Sequence, residues 1–205
     1  MPVIVIANPK GGCGKSTLAT HVAGLLARHG YAVMLGDVDK QQSSRQWLAL
    51  RPTHMPPIGS WDVRGDDMRR TPKGTTHVVL DTPAGLDGKR LEGVLKLADR
   101  VIVPVQASVF DIQATHGFIQ QLLAHKKAAT WAVGLVIMRA HENTLAHEHL
   151  QDYVATLPFP LLTALRDTQN YAHLAAHGLT VWDVTPSRVQ RDLEQWQPLA
   201  NWILA

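Results

Sequence analysis

Cysteine and long apolar runs are both scarce in this sequence of 205 residues. Cys13 is the single cysteine, which excludes an intrachain disulfide and a zinc or iron–sulfur site built from several cysteines of one chain. No apolar run reaches the ~20 residues that span a bilayer, and the start of the chain lacks the basic, apolar and cleavage regions of a signal peptide. We therefore expect a cytoplasmic protein that works without a membrane.

A large charge excess of either sign is also absent. The 20 basic and 17 acidic residues give a net charge of +3 with the 11 histidines neutral, which falls short of a dedicated nucleic-acid binder. The charge is unevenly distributed, because residues 1–100 carry 14 basic and 9 acidic side chains whereas residues 101–205 carry 6 and 8. We expect the first half of the chain to meet any anionic partner.

Continuous apolar runs rich in β-branched residues alternate with stretches of helical periodicity. Such runs are typical of strands buried on both faces of a parallel sheet. The pattern predicts an α/β fold with a doubly wound, mainly parallel sheet flanked by helices, formed by residues 1–205 as a single domain. The predicted strands are residues 3–7, 32–38, 77–82, 101–105 and 133–138, followed by a short strand in 158–163 and a terminal helix over 187–204.

Residues 51–76 interrupt this alternation with several prolines and glycines, so we expect an irregular insertion or surface arm there. Basic residues cluster around the segment, and neighbouring aspartates partly offset their positive charge. Contact with DNA phosphates and ordinary solvated surface charge are equally good interpretations of this cluster. A second candidate DNA patch lies nearer the C-terminus. The basic residues of the two patches are Arg45, Arg51, Arg64, Arg69, Arg70 and Lys73, and then Arg166, Arg188 and Arg191.

The first predicted strand runs directly into Asn-Pro-Lys-Gly-Gly-Cys-Gly-Lys-Ser-Thr at residues 8–17, which opens an amphipathic helix. This is the context of a phosphate-binding loop. Gly11, Gly12 and Gly14 allow the backbone to curl so that its N–H groups point at phosphate oxygens, and the helix N-terminus adds partial positive charge. We expect Lys15 to reach the β- and γ-phosphates and the Ser16 hydroxyl to ligate Mg²⁺.

The loop resembles the deviant Walker A motif of the ParA/MinD superfamily of ATPases, through the string Lys-Gly-Gly-Cys-Gly-Lys-Ser. The resemblance implies a P-loop NTPase fold with ATP and Mg²⁺ as the bound species. It also implies a homodimer that sandwiches two ATP molecules, in which Lys10 reaches the phosphates bound by the other subunit. The nucleotide-binding residues implied in this loop are Lys10, Gly11, Gly12, Cys13, Gly14, Lys15, Ser16 and Thr17.

Two aspartates close the second predicted strand in the segment Asp-Val-Asp-Lys-Gln at residues 37–41. Side chains alternate along a strand, so we expect the two carboxylates to face opposite ways at the carboxyl end of the sheet. The segment is similar to the Asp-x-Asp-Pro-Gln switch of the same superfamily, with Lys40 in place of proline. The resemblance implies that Asp37 holds Mg²⁺ through water and that Asp39 positions or activates the hydrolytic water.

Further segments extend the resemblance. Asp81 ends an apolar run and begins Asp-Thr-Pro-Ala-Gly, which is similar to the superfamily's Walker B and implies that Asp81 lies near Mg²⁺ and the region of Gly85 near the γ-phosphate. Residues 100–111 resemble the superfamily's fourth-strand segment. After the fifth strand Arg139 matches a nucleotide-binding arginine, but the asparagine that commonly precedes it is missing. A preference for ATP over GTP therefore follows from the resemblance alone.

Taken together, the motifs resemble a small ParA-type partitioning or positioning ATPase that segregates plasmid, chromosome or protein cargo. The implied partners are a second copy of the chain, non-specific DNA and a ParB-like or other adaptor that stimulates hydrolysis, with the ATP-bound form associated with the nucleoid. The phosphate loop begins within ten residues of the start, so we expect no N-terminal operator-binding extension. Two alternatives stay open: a ligase or kinase of the dethiobiotin-synthetase type, and a MinD-like regulator recruited to the membrane.

Two other groups of residues are interpreted structurally. His141, Glu142, His147 and His149 lack the spacing of a metal-binding motif, so we expect a solvated helix face. The terminal helix places Trp196, Leu199 and other apolar residues on one face but has no basic residue after Arg191. It is therefore expected to pack on its own sheet rather than on a membrane surface.

Overall fold

The computed structural model describes residues 1–64, 67–68, 71–141 and 144–205. The strands are β1 (Val3–Ile6), β2 (Val33–Asp37), β3 (Ile58–Trp61), β4 (Val63–Arg64), β5 (Asp67–Met68), β6 (His77–Asp81), β7 (Arg100–Val105), β8 (Ala132–Ala140) and β9 (Leu161–Arg166). The main sheet has seven of them in the order β3-β2-β6-β1-β7-β8-β9, and every neighbouring pair is parallel. The predicted parallel α/β architecture is therefore confirmed.

Helices cover both faces of the sheet, which explains why its central strands are apolar without alternation. The helices are α1 (Lys15–Arg28), α2 (Ser43–Leu50), α3 (Gly88–Leu95), α4 (Val109–Ala124), α5 (Leu145–Ala155), α6 (Gln169–Ala175) and α7 (Pro186–Leu204). Val3 and Val5 pack on the face covered by α3, α4 and α5, whereas Ile4 and Ile6 of the same strand pack on the face covered by α1, α2, α6 and α7.

The segment over residues 51–76, expected from the sequence to be an irregular insertion or surface arm, contains regular strands in its middle. Residues 58–61 form β3, which pairs with β2 at one edge of the sheet, and β4 and β5 form a short antiparallel ladder. A Cβ on Gly59 would clash with Met34 Sδ, so the glycine lets β3 approach its neighbour. The strand carries glycine and serine at its centre, which hid it from an analysis based on apolar runs. Residues 65, 66, 69 and 70 of this segment lie outside the described residues.

The C-terminal elements differ from the prediction in their bounds. The last strand is β9 (Leu161–Arg166) rather than a strand within 158–163, and α6 follows it. Helix α7 carries non-helical backbone at Val189, and it buries Trp196, Leu199, Ala200 and Ile203 against the core. The apolar face of α7 is thus occupied by this protein's own sheet and helices. In the part of the chain that the structure describes, no helix is long and apolar enough to cross a membrane.

Because all strands of the main sheet are parallel, their carboxyl ends meet at one edge. The loop after β1, the turn after β2 and the segments after β6, β7, β8 and β9 all emerge there. This edge is the position at which open α/β sheets bind their ligands. The site residues named from the sequence lie in these connections or at the ends of the strands and helix that adjoin them.

Candidate functional site

The loop between β1 and α1 has the backbone of a phosphate cradle. Gly12 and Gly14 have φ of +77° and +92°, a conformation that favours glycine, and α1 begins directly afterwards at Lys15. At Gly14 a Cβ would also lie 2.7 Å from Met138 Cε. The Lys15 side chain is buried and folds back over the loop, where its Nζ donates to the Lys10 carbonyl over 2.6 Å. Its ammonium therefore stands beside the concave side of the loop, 3.8 Å from Cys13 Sγ.

Buried hydrogen bonds fix the start of this loop to the sheet. The Asn8 side chain is 2% exposed; its Nδ2 donates to the Pro104 carbonyl over 2.7 Å, and its Oδ1 accepts from the Lys10 amide at 2.9 Å. On the far side, the Gly85 amide donates to the Pro9 carbonyl over 2.8 Å. Sequence reasoning missed Asn8, although a polar residue at the end of a buried strand was the available signal.

Asp37 and Asp81 lie directly opposite each other at the ends of β2 and β6. Both oxygens of Asp37 accept backbone hydrogen bonds: Oδ1 from the Asp39 amide at 2.9 Å, and Oδ2 from the Ser44 amide at 2.9 Å. Burial raises the pKa of Asp37, the three backbone amides of Asp39, Arg45 and Ser44 act against that rise, and the charge of Asp39 adds to it. The Asp37 carboxylate thus sits at the N-terminus of α2, where the helix dipole favours negative charge.

Asp81 is the more buried carboxylate, with 1% of its surface exposed. Its Oδ2 accepts a hydrogen bond from the Ser44 hydroxyl, and its Oδ1 has no hydrogen-bond partner among the described residues. Burial raises the pKa of Asp81 to about 6, the nearby hydroxyls of Ser16 and Ser44 and the charge of Lys15 oppose the rise, and the charge of Asp37 adds to it.

These residues fit a bound Mg²⁺. A buried carboxylate oxygen without a hydrogen bond is costly unless a cation or another donor completes it. Mg²⁺ prefers carboxylate, hydroxyl and water oxygens, and the site offers Asp81 Oδ1 with the Ser16 hydroxyl nearby and Asp37 on the adjacent strand. Among the described residues there is no cluster of three or more histidine, cysteine or acidic side chains arranged for a metal.

The turn after β2 holds Asp39 at the margin of this carboxylate pair. Asp39 is partly exposed, and its Oδ1 accepts from the Gln41 amide at 2.9 Å. Gln42 has φ of +53° and uses its side-chain amide to bridge the turn, donating to the Asp37 and Asp39 carbonyls over 2.8 and 2.7 Å. Sequence reasoning missed this bridge, since nothing in the sequence marks a left-handed glutamine.

A cavity of about 290 Å³ opens beside Gly14 and Thr17, on the side of the loop away from the carboxylates. Arg139 lies at its wall, exposed and with φ of +51°. Arg166 also lines the cavity, and its Nε donates to the fully buried Asp192 over 2.6 Å. Arg166, considered from the sequence as a DNA-contacting residue, is therefore part of an internal ion pair. The other lining residues include Met138, Asp167, Thr168, Gln169 and Tyr171.

The site thus assembles most of the residues named from the sequence. Residues 10–14 form the loop, residues 15–17 begin α1, Asp37 and Asp81 form the neighbouring carboxylate pair, and Arg139 lines the cavity. The expectation for the histidine cluster is wrong in one respect, because His147 is buried against the core rather than solvated. Glu142 lies outside the described residues.

A family model for the CobQ/CobB/MinD/ParA nucleotide binding domain matches residues 4–181. The chain is 30% identical over 194 residues to protein ParA of Rhizobium radiobacter, covering 93% of this chain and 79% of the relative. It is 24% identical over 195 residues to maintenance of carboxysome distribution protein A of Halothiobacillus neapolitanus, covering 88% and 87%. The solved MinD cell division protein of Aquifex aeolicus has the same fold, with a TM-score of 0.78 at 16% identity, covering 100% and 97%.

Proposed function

The chain belongs to the family of CobQ/CobB/MinD/ParA nucleotide-binding domains, and we propose on this premise that it is a Mg²⁺-dependent ATPase that partitions or positions cargo. One observation carries the proposal: a glycine-rich loop with a buried lysine ammonium lies beside a buried carboxylate pair, one oxygen of which has no hydrogen-bond partner among the described residues. The names of the two relatives, a ParA protein and a carboxysome distribution protein, support the cargo-positioning role.

The residues that would hold the substrate follow from this arrangement. The loop amides between Gly11 and Ser16, together with α1's N-terminus and Lys15, would bind the phosphates of ATP. The cavity walled by Arg139 lies beside the loop on the side where the nucleoside would extend. Ser16, Asp81 and Asp37 would hold Mg²⁺, which when bound neutralises charge on the phosphate oxygens.

Two further residues, Asp39 and Lys10, would act in hydrolysis and in dimer formation. Asp39, partly exposed at the margin of the carboxylate pair, would position or activate the water that attacks the γ-phosphate and yields ADP and phosphate. Lys10, two residues beyond the anchored Asn8, would reach the phosphates bound by a second copy of the chain in an ATP-sandwich dimer. If two active sites are paired in this way, the rate of ATP hydrolysis would set how long the dimer persists.

In the cell, the ATP-bound dimer would bind DNA non-specifically and so associate with the nucleoid within the cytoplasm. A doubled net charge of about +6 suits weak, salt-sensitive contact with phosphates. An adaptor of the ParB kind would stimulate hydrolysis and release the dimer. We treat residues 1–205 as one ATPase domain in this scheme.

Sizing the Asp39→Ala variant tests this proposal. Because hydrolysis would be blocked, we expect it to form a dimer with ATP and Mg²⁺ and to bind non-specific DNA at low salt, with binding lost as salt rises. The same variant with ADP is the matched control and is expected to stay monomeric. A monomer that ignores DNA in the presence of ATP would refute the positioning role and favour a small-molecule ligase or kinase, in which Lys10 serves a substrate.

A further inference from the structure

Ser44 bonds to both carboxylates of the site. It is the second residue of α2 and is fully buried. Its hydroxyl donates to Asp81 Oδ2, while its backbone amide donates to Asp37 Oδ2 over 2.9 Å. A single residue therefore joins the ends of β2 and β6 at the point where the two carboxylates face each other.

These hydrogen bonds determine which oxygen of the two carboxylates is left without a hydrogen-bond partner among the described residues. The amides of Asp39 and Ser44 occupy the two oxygens of Asp37, and the Ser44 hydroxyl occupies Oδ2 of Asp81. Oδ1 of Asp81 is buried and has no hydrogen-bond partner among the described residues. A hydrogen bond to one oxygen, together with burial of the side chain, restricts rotation of the carboxylate and so favours one direction for the other oxygen.

The helix that carries Ser44 is anchored at its other end as well. Trp47 is buried in the core, and Arg51, directly after α2, forms a two-pronged ion pair with Asp183 at 2.9 and 3.0 Å. Both partners of that pair are almost completely buried. Because α2 is held at both ends, the Ser44 hydroxyl has little freedom to move away from Asp81.

We propose that Ser44 is a positioning residue for the metal: its hydroxyl orients Asp81 so that Oδ1 is presented to Mg²⁺. The inference rests on the proposed function, since it concerns the ion that accompanies ATP. Ser44 acts through Asp81 and does not itself touch the nucleotide. Removing its hydroxyl therefore weakens the contribution of Mg²⁺ to nucleotide binding and leaves binding without the ion nearly unchanged.

Isothermal titration with the non-hydrolysable analogue AMPPNP, in excess EDTA and in Mg²⁺, separates these effects. Wild-type protein is expected to bind more tightly with Mg²⁺. In Ser44→Ala we expect this Mg²⁺-dependent gain to fall by about tenfold, the usual scale for one hydrogen bond to a charged group, with affinity in EDTA changed less than about twofold. Ser43→Ala, on the exposed neighbour in the same turn, is the matched control and should keep the full gain.

Two further variants complete the test. Ser44→Thr retains the hydroxyl and is expected to restore most of the Mg²⁺-dependent gain, whereas Ser44→Cys, with a weak donor of similar size, should behave like the alanine variant even if alanine impairs folding. An unchanged gain in Ser44→Ala and Ser44→Cys would overturn the proposal. So would an equal loss of affinity in EDTA and Mg²⁺, which marks a purely structural role. If wild-type protein binds no AMPPNP, the proposed ATPase function itself is refuted, independently of any result on Ser44.

Discussion

Asp37 and Asp81 face each other across the neighbouring strands β2 and β6, and burial raises the pKa of both. The charge of Asp37 adds to the rise in the pKa of Asp81, because a like charge nearby disfavours ionisation. Asp37 gains backbone hydrogen bonds in compensation, but Oδ1 of Asp81 has no hydrogen-bond partner in the part of the chain that the structure describes. The metal-free protein therefore holds unfavourable charge at this point, and binding of a cation would relieve it.

The raised pKa of Asp81 makes a prediction about stability. In the folded protein it lies at about 6, whereas an unfolded aspartate titrates near 4. The folded state binds more protons in this interval, so the stability that Asp81 contributes falls as the pH rises from about 4 to about 6. We expect metal-free Asp81→Asn to gain stability relative to wild type across this range, by roughly 2 to 3 kcal/mol.

Urea unfolding at a series of pH values, with EDTA present, measures this difference. Asp152→Asn, on the exposed side of α5, is the matched control and should track wild type throughout. A difference between Asp81→Asn and wild type that does not depend on pH would contradict the raised pKa.

The pKa of His21 is shifted in the opposite direction, downward, so its contribution to stability depends on pH in the opposite way. His21 is buried behind the phosphate loop, stacked on Trp196 with ring centres 5.1 Å apart, and its Nε2 has no hydrogen-bond partner among the described residues. Burial lowers its pKa to about 4, although the Thr17 carbonyl and the charges of Asp183 and Asp192 act against this. The folded state thus binds fewer protons than the unfolded one between about 4 and 6.5, and stability is lost as the pH falls through this range.

We therefore expect His21→Gln to lose less stability than wild type when the pH falls from about 6.5 to about 4. Unfolding followed by circular dichroism at each pH measures this slope, and His149→Gln on the exposed side of α5 serves as its control. The interpretation is wrong if wild type and His21→Gln lose stability in parallel.

Lys10 is expected to act between subunits. Its carbonyl accepts from Lys15 Nζ, so the backbone at this position already belongs to the loop, and truncating the side chain leaves that bond in place. We expect Lys10→Ala to bind AMPPNP with Mg²⁺ within a few-fold of wild type but to remain monomeric, as measured by light scattering after gel filtration. Undiminished dimerisation would refute a role across the interface.

The parts of the fold that the sequence predicts best are those set by local pattern. Strands β1, β6 and β7 were predicted from continuous apolar runs, and in the structure both of their faces are covered. Gly12 and Gly14 have the left-handed backbone conformation that the phosphate-loop motif requires. β3 escaped prediction because Gly59 and Ser60 give it little apolar character. Its place at the sheet edge depends on close packing against Met34, which no local pattern encodes.

The polar residues that organise the site were harder to predict, because each depends on a distant partner. Ser44 bonds a carboxylate 37 residues away in sequence, and Asn8 bonds a carbonyl 96 residues away. From the local sequence alone, a serine near the start of a helix is interpreted as a solvated or capping residue. Only the parallel register of β2 and β6, which brings Asp37 beside Asp81, gives Ser44 its two partners.

Lys15 offers the most direct test of the central claim that this loop binds the phosphates of ATP. Calorimetric titration of wild-type protein with AMPPNP and Mg²⁺ is compared with Lys15→Ala and with Lys89→Ala, an exposed lysine of α3. We expect wild type and Lys89→Ala to bind alike and Lys15→Ala to bind at least about a hundredfold more weakly, since a buried ammonium facing the phosphates is lost. Equal binding by Lys15→Ala and wild type would contradict the account.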